Sequence, residues 1–418
     1  MPTPIPTSIP LETVVYNGPS KEKKNVLFLG DGFSSTDRAL FDRTVTELVA
    51  RFFRKAPFNL KGIRNEFNFF KAFTPSPESG ISCELEIDAN GIPLDSDNVG
   101  IAGPSIGKLE EKKSALGLTY YTEARAIVSK TGDENLIRDF LATLSISTEA
   151  APNTAIPQCW ATPPFGPLHI IGKDFGLVIV LVNDDKFGGS HTEGNTYTPI
   201  TLGKENRFNL TGSTVTPNLF RHEPISPRNN YNLIITGVHH ELGHSYFNLG
   251  DEYSYTHNPA VATTKNAFTW LNIVTKEDIL DGSSPRKFNP DLIKWNTNVY
   301  PGSSQKIISA IVTDYIKTNN KALWERPVGT VCANVGVDEL IKTPPRDVIL
   351  KSKIRYPQRI IGIYEGGYEH CGAYSPAGSC RMRSRNWDSD FCYVCKYGIV
   401  EKINPSYLEK LFNTFYPK

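Results

Sequence analysis

Apolar residues in this chain gather into short runs set apart by polar stretches rich in glycine and proline. The first run is NVLFLGDGF at 25–33, continuous rather than alternating and ending in glycines. That pattern predicts a buried strand. The period then changes. In SSTDRALFDRTVTELVARFFRKAPF the apolar positions Phe41, Val45, Leu48, Val49, Phe52 and Phe53 recur at helical spacing, which predicts a helix. Ser34 and Asp37 have the spacing of a capping box at its start, and Pro57 ends it. Further strands are expected at 66–73 (EFNFFKAF), 83–87 and 175–183 (FGLVIVLVN). The last is apolar throughout, as suits a central strand covered on both faces. Helical segments are expected around 133–144 and 303–317. Proline and asparagine cluster through 216–232 and 284–303, marking loops. Strands alternating with helices predict an α/β class, a sheet with helices packed against it. The opening strand–glycine–helix unit has neither GK[ST] nor GxGxxG, so it is not read as a nucleotide-binding fold.

Composition narrows the function classes. Of 418 residues, 39% are hydrophobic and 11% aromatic, enough for a substantial core. Lys+Arg (45) and Asp+Glu (44) nearly cancel, which argues against nucleic acid or an anionic membrane as the main partner. No apolar run approaches a membrane span. The start, MPTPIPTSIPLETVV, lacks a charged segment followed by an apolar one, so no signal peptide is read there. Residues 1–20 read as an extended Pro/Ser/Thr-rich tail. Such a tail suits a secreted or cell-surface protein whose export signal has been trimmed, and equally a plain disordered end.

The chain has 7 cysteines, and Cys371, Cys380, Cys392 and Cys395 crowd toward the C-terminus. Local disulfides and a Cys₄ zinc site compete there. Only Cys392 and Cys395 have CxxC spacing, so disulfides are the favoured reading.

The candidate chemistry lies in HHELGHSYFNLGDEY, from His239 to Tyr253. On a helix, His240 and His244 share a face and can present two ring nitrogens to one ion. Glu241 sits about 100° round from His240, placed to reach a bound water without ligating the metal. A catalytic zinc needs a third protein ligand and an open position. Asp251, Glu252 and His257 follow closely, and a later acid such as Glu277 is a weaker option. A straight helix would carry Asp251 about 10 Å past His244. The helix must therefore stop, and Asn248 and Gly250 are the residues that permit a left-handed turn. A bend there returns Asp251 to the metal and leaves Glu252 for hydrogen bonds to a ligand histidine.

With its flanks, this motif resembles the active-site signature of the bacterial immunoglobulin A peptidase family of zinc metallopeptidases. The resemblance extends to NVLFLGDGFSSTD at 25–37, LVNDDKFGGS at 181–190, GIYEGGYEHCGAYSPAGSCRMRS at 362–384 and FCYVC at 391–395. It implies a metzincin-like catalytic domain: a twisted mixed sheet with packed helices, and a C-terminal subdomain carrying a methionine turn. The implied division is 21–250 for the subdomain with the active-site helix and 251–418 for the second, together one metallopeptidase domain. Met382, in SCRMRS, would lie beneath the zinc. Many family members carry an extra N-terminal sandwich domain; with the catalytic opening near residue 25, that domain is not expected here. Metzincins place a third histidine where this chain has Gly250, so Asp251 stands in for it. Tyr253 or Tyr374 would stabilise the oxyanion. The implied activity is a Zn²⁺-dependent endopeptidase acting on an extracellular protein or peptide, with substrate adding to an edge strand such as YTPITLG at 197–203. The rival readings are a catalytically silent binding or adhesive protein that keeps the fold, and a zinc amidohydrolase acting on a non-peptide conjugate.

Overall fold

The computed structural model describes residues 11–20, 22–87, 106–121, 126–129, 177–184, 198–202, 227–252, 269–279, 293–295, 364–367, 369–377, 380–382 and 390–415. The chain divides into two compact units, 1–54 with 64–245, and 55–63 with 246–418.

In chain order the strands of the first unit are β1 (Leu11–Val15), β2 (Lys24–Asp31), β3 (Phe67–Ala72), β4 (Ser82–Ile87), β5 (Ile106–Glu110), β6 (Leu118–Tyr121), β7 (Ala126–Ser129), β8 (Leu177–Val182) and β9 (Thr198–Thr201). The main sheet has the order β1-β3-β2-β8-β9. β1 runs antiparallel to β3 and every other pair is parallel, so the sheet is mixed. β2 and β8 lie side by side at its centre, and Leu27, Phe28, Leu29, Ile179, Val180 and Leu181 are fully buried. Burying each such side chain stabilises the fold by about 1.5–3 kcal/mol. This is why both stretches read as unbroken apolar runs. A smaller sheet has the order β5-β4-β6-β7.

Helix α1 (Arg38–Phe52) follows a short 3-10 turn at Ser35–Asp37. The Asp37 carboxylate accepts from the Ser34 backbone N–H at 2.9 Å and the Ser34 hydroxyl at 2.7 Å, closing the chain entry. The helix ends at Phe52, short of the proline expected to stop it. Helix α2 (Pro227–Ser245) packs against α1 and against β8 and β9. It begins inside the stretch read as a loop at 216–232. Pro227 opens it, since a proline in the first turn forfeits no helical hydrogen bond. Leu11–Val15, read as part of the tail, instead forms a sheet edge. The helices expected at 133–144 and 303–317 lie outside the described residues.

Asp31, at the end of β2, fastens this unit internally. Its Oδ1 accepts from the N–H groups of Gly32 (3.0 Å) and Leu116 (2.8 Å). Its Oδ2 accepts from Leu118 N–H (3.1 Å) and the Ser114 hydroxyl (3.0 Å). Full burial pushes its pKa up to about 6 although all four donors pull the other way.

The second unit contains strands β10 (Val274–Thr275), β11 (Tyr364–Gly367) and β12 (Glu369–Ser375), in the antiparallel order β10-β12-β11. Helices α3 (Tyr393–Ile403) and α4 (Leu408–Phe415) follow. Every residue of α3 from Tyr393 to Val400 is buried, which marks it as a core helix. The Phe58 ring stands 6.1 Å from that of Phe247 and 6.5 Å from that of Phe391. Among the described residues, no helix is long and apolar enough to cross a membrane.

Candidate active site

Helix α2 carries the two motif histidines, and its own packing sets their direction. Ile234, Ile235, Val238 and Leu242 are buried at helical spacing. His239 is buried as well, its ring edge-on to Phe52 with centroids 4.9 Å apart. Arg51 donates from Nε to Asn232 Oδ1 at 3.2 Å, a further tie between α1 and α2. With that face committed to the core, His240 and His244 remain half-buried one turn apart. Their Nε2 atoms are 3.2 Å apart and their ring planes stand at 89°. Two imidazoles bound to one tetrahedral zinc at about 2.0–2.1 Å hold their nitrogens about 3.3 Å apart. Glu241, between them in sequence, is buried.

The helix stops at Ser245. Asn248 then takes the left-handed conformation, φ +53°. Gly250, expected to share that role, does not have a positive φ. Space selects glycine at this position. An added Cβ would come within 2.4 Å of the Trp270 ring and 2.9 Å of Ile273 Cγ1. Asp251, six residues past the end of the helix, is buried, 3% exposed.

Sequence reasoning missed Asn272. Its Oδ1 accepts from Gly250 N–H at 2.8 Å. Its Nδ2 donates to Gly250 C=O at 2.8 Å and to Glu252 Oε1 at 3.0 Å. One signal was present: a lone amide within the apolar run LNIVT at 271–275, which must find partners if buried.

Glu252, expected to support a ligand histidine, turns Oε1 elsewhere. Besides Asn272, that oxygen lies 3.2 Å from Cys395 Sγ and 3.8 Å from Cys392 Sγ. The Glu252 N–H donates to Met382 C=O at 2.7 Å, and Met382 is fully buried. Tyr374, on β12, is buried at register positions opposite Val274 and Glu365. Tyr253, His257 and the glycines at 188–189 lie outside the described residues.

The disulfides favoured for the C-terminal cysteines do not form among Cys380, Cys392 and Cys395, which are free and buried. The sulfurs of Cys380 and Cys395 are 3.7 Å apart, where a disulfide needs about 2.05 Å. Burial pushes the Cys380 thiol up to about 12. Burial acts the same way on Cys392, but hydrogen bonds from Cys380 and Cys395 outweigh it and bring that thiol down to about 6.

The family model for IgA peptidase M64 matches residues 173–403, more than half of the chain. The chain belongs to the IgA peptidase M64 family. No curated protein matches it. As an M64 family member it is a peptidase, a hydrolase whose substrates are proteins or peptides. The matched stretch opens just before β8, takes in α2, the bend at Asn248 and the three cysteines, and closes at the end of α3. The opening strand and turn at 25–37 precede it.

Proposed function

We propose that this M64 peptidase is a zinc-dependent endopeptidase, itself secreted or at the cell surface and acting on an extracellular protein, with the metal held by His240, His244 and Asp251. The observation that carries the reading is the 3.2 Å approach of the two histidine Nε2 atoms one turn apart on α2. Two imidazoles and one carboxylate suit zinc, and three protein ligands leave a position open for catalysis. When bound, zinc supplies Lewis-acid polarisation of the scissile carbonyl and a more acidic water.

The protein's own groups do the rest. Glu241 takes the proton from the attacking water and passes it to the leaving amine. Tyr253 or Tyr374 donates to the developing oxyanion. By the family resemblance, Met382 forms an apolar floor to the site. β9 stands last in the sheet order beside β8, and an extended substrate adds there by main-chain hydrogen bonds.

The test pairs the wild type with Glu241→Gln on casein and on a peptide library. The variant should keep its zinc and lose at least about 100-fold in kcat. Hydrolysis by the variant at the wild-type rate would remove Glu241 as the base. A zinc-loaded wild type that cuts no peptide but releases amines from cell-wall conjugates would favour the amidohydrolase, and one that cuts neither would favour a binding protein.

A further inference from the structure

A second group of metal-binding side chains lies wholly within the second unit. Glu252, Cys380, Cys392 and Cys395 are all buried, and their ligand atoms lie within 4.8 Å of one another. They come from three separate stretches: the segment after the α2 bend, the Cys-x-Met turn, and the start of α3. Cys392 is the N-cap of α3, and Cys395 lies in its first turn.

The spacings are those of a tetrahedral site. Zinc–sulfur bonds of about 2.3 Å put two ligand sulfurs about 3.8 Å apart, and a sulfur and an oxygen about 3.5 Å apart. The structure has 3.7 Å between the sulfurs of Cys380 and Cys395. Between Glu252 Oε1 and the sulfurs of Cys395 and Cys392 it has 3.2 and 3.8 Å. The bonds that orient ligands from behind are also in place. Cys392 N–H donates to Cys380 Sγ at 3.1 Å, and Cys395 N–H to Cys392 Sγ at 3.5 Å. Asn272 Nδ2 donates to the same oxygen of Glu252 at 3.0 Å. Ligand thiolates and carboxylates are characteristically fixed by such bonds.

We infer that Glu252, Cys380, Cys392 and Cys395 form a second, structural zinc site, separate from the histidine site. Three soft thiolates with one carboxylate select zinc over magnesium or calcium, and four protein ligands leave no open position for catalysis. Bound metal would pin the residue after Asp251 to the Cys-x-Met turn and to the head of α3. This inference needs neither the histidine site nor peptide hydrolysis. The strongest competing chemistry is a Cys392–Cys395 redox pair, in which two thiols lose two electrons and two protons to an external oxidant and form one S–S bond.

Three measurements on the full chain decide between them. The first is zinc content for the wild type and for His240→Ala/His244→Ala. The double variant should retain about one equivalent, held by the four-ligand site. Cobalt(II) loaded into the same variant should then show the thiolate-to-metal charge-transfer absorption that histidine and carboxylate ligands cannot give. Because cysteine variants risk misfolding, a mercurial thiol reagent is titrated into the wild type with a colorimetric zinc indicator. Release of about one equivalent as the thiols react supports the site. A double variant that binds no zinc and whose cobalt form lacks the charge-transfer band would overturn the inference, as would a Cys392–Cys395 disulfide in the freshly purified, unreduced chain. Failure of the peptidase reading would look different: the double variant would retain as much zinc as the wild type while the charge-transfer band persisted.

Discussion

The side chain of Asn272 binds the backbone of Gly250 in both directions, accepting from its N–H and donating to its C=O, each at 2.8 Å. The residue before Asp251 is thus held like a rung of a sheet although no strand passes there. Asn272→Asp keeps the acceptor and replaces the donor with an oxygen facing Gly250 C=O and Glu252 Oε1. The buried repulsion should cost on the order of 2–4 kcal/mol. Urea unfolding reads this directly. A midpoint equal to that of the wild type would show that the clamp contributes nothing.

Two neighbouring positions in the bend should respond in opposite ways. Gly250→Ala drives a methyl into the Trp270 ring, where an added Cβ would stand at 2.4 Å. Overpacking of that kind costs about 1–3 kcal/mol. Asn248 is exposed, and its demand is conformational, φ +53°. Asn248→Gly should therefore be neutral, while Asn248→Val should lose about 1–2 kcal/mol. Thermal denaturation of the three variants checks the pattern. Equal losses at both positions would mean that backbone conformation, not space, selects Gly250.

The unequal legibility of this region in the sequence has physical causes. His240 and His244 were readable because helical spacing alone brings two rings to one side, and β2 and β8 because strands buried on both faces must be apolar throughout. The stop after Ser245 followed from geometry. The role of Gly250 did not, because it depends on Trp270, 20 residues on, and sequence distance carries no trace of that contact. Glu252 was misdirected for the same reason: its partners Cys392 and Cys395 are about 140 positions away. The cysteines were read as disulfides because a single CxxC lacks the second pair of a zinc ribbon, whereas the structure brings a third sulfur and a carboxylate from elsewhere in the chain.

If Asp251 is the third ligand, charge matters as much as shape. Asp251→Asn keeps the shape and replaces an anionic ligand with a weak neutral one. Zinc affinity at the histidine site should fall by roughly 100-fold or more, beyond the 10–100-fold typical of outer-shell changes. Peptidase activity should fall with it and return as zinc is added to saturation. Isothermal titration with zinc, run beside a casein assay, gives both readings. Unchanged affinity with lost activity would assign Asp251 a catalytic rather than a ligand role.

Asp31 makes the pH dependence of folding testable at a group that belongs to neither proposed ligand set. Its folded pKa, about 6, lies above the ordinary 3.8, chiefly through burial. The folded state therefore holds a proton that the unfolded chain releases across that window. A group raised in this way contributes stability that is complete below about 3.8 and is lost as pH rises through about 6, on the order of 1–3 kcal/mol in all. Asp31→Asn cannot titrate. Its amide must also set an NH₂ group against two donors, either Gly32 and Leu116 or Leu118 and Ser114. Ser114 has little freedom to adapt, since its Oγ also accepts from Gly117 N–H at 3.2 Å. The variant should thus be less stable than the wild type by about 2 kcal/mol or more near pH 4.5, and the gap should narrow as pH rises to 7.5. Urea unfolding of both proteins across that range measures the gap. Parallel curves would show that the four hydrogen bonds, rather than burial, govern the titration of Asp31.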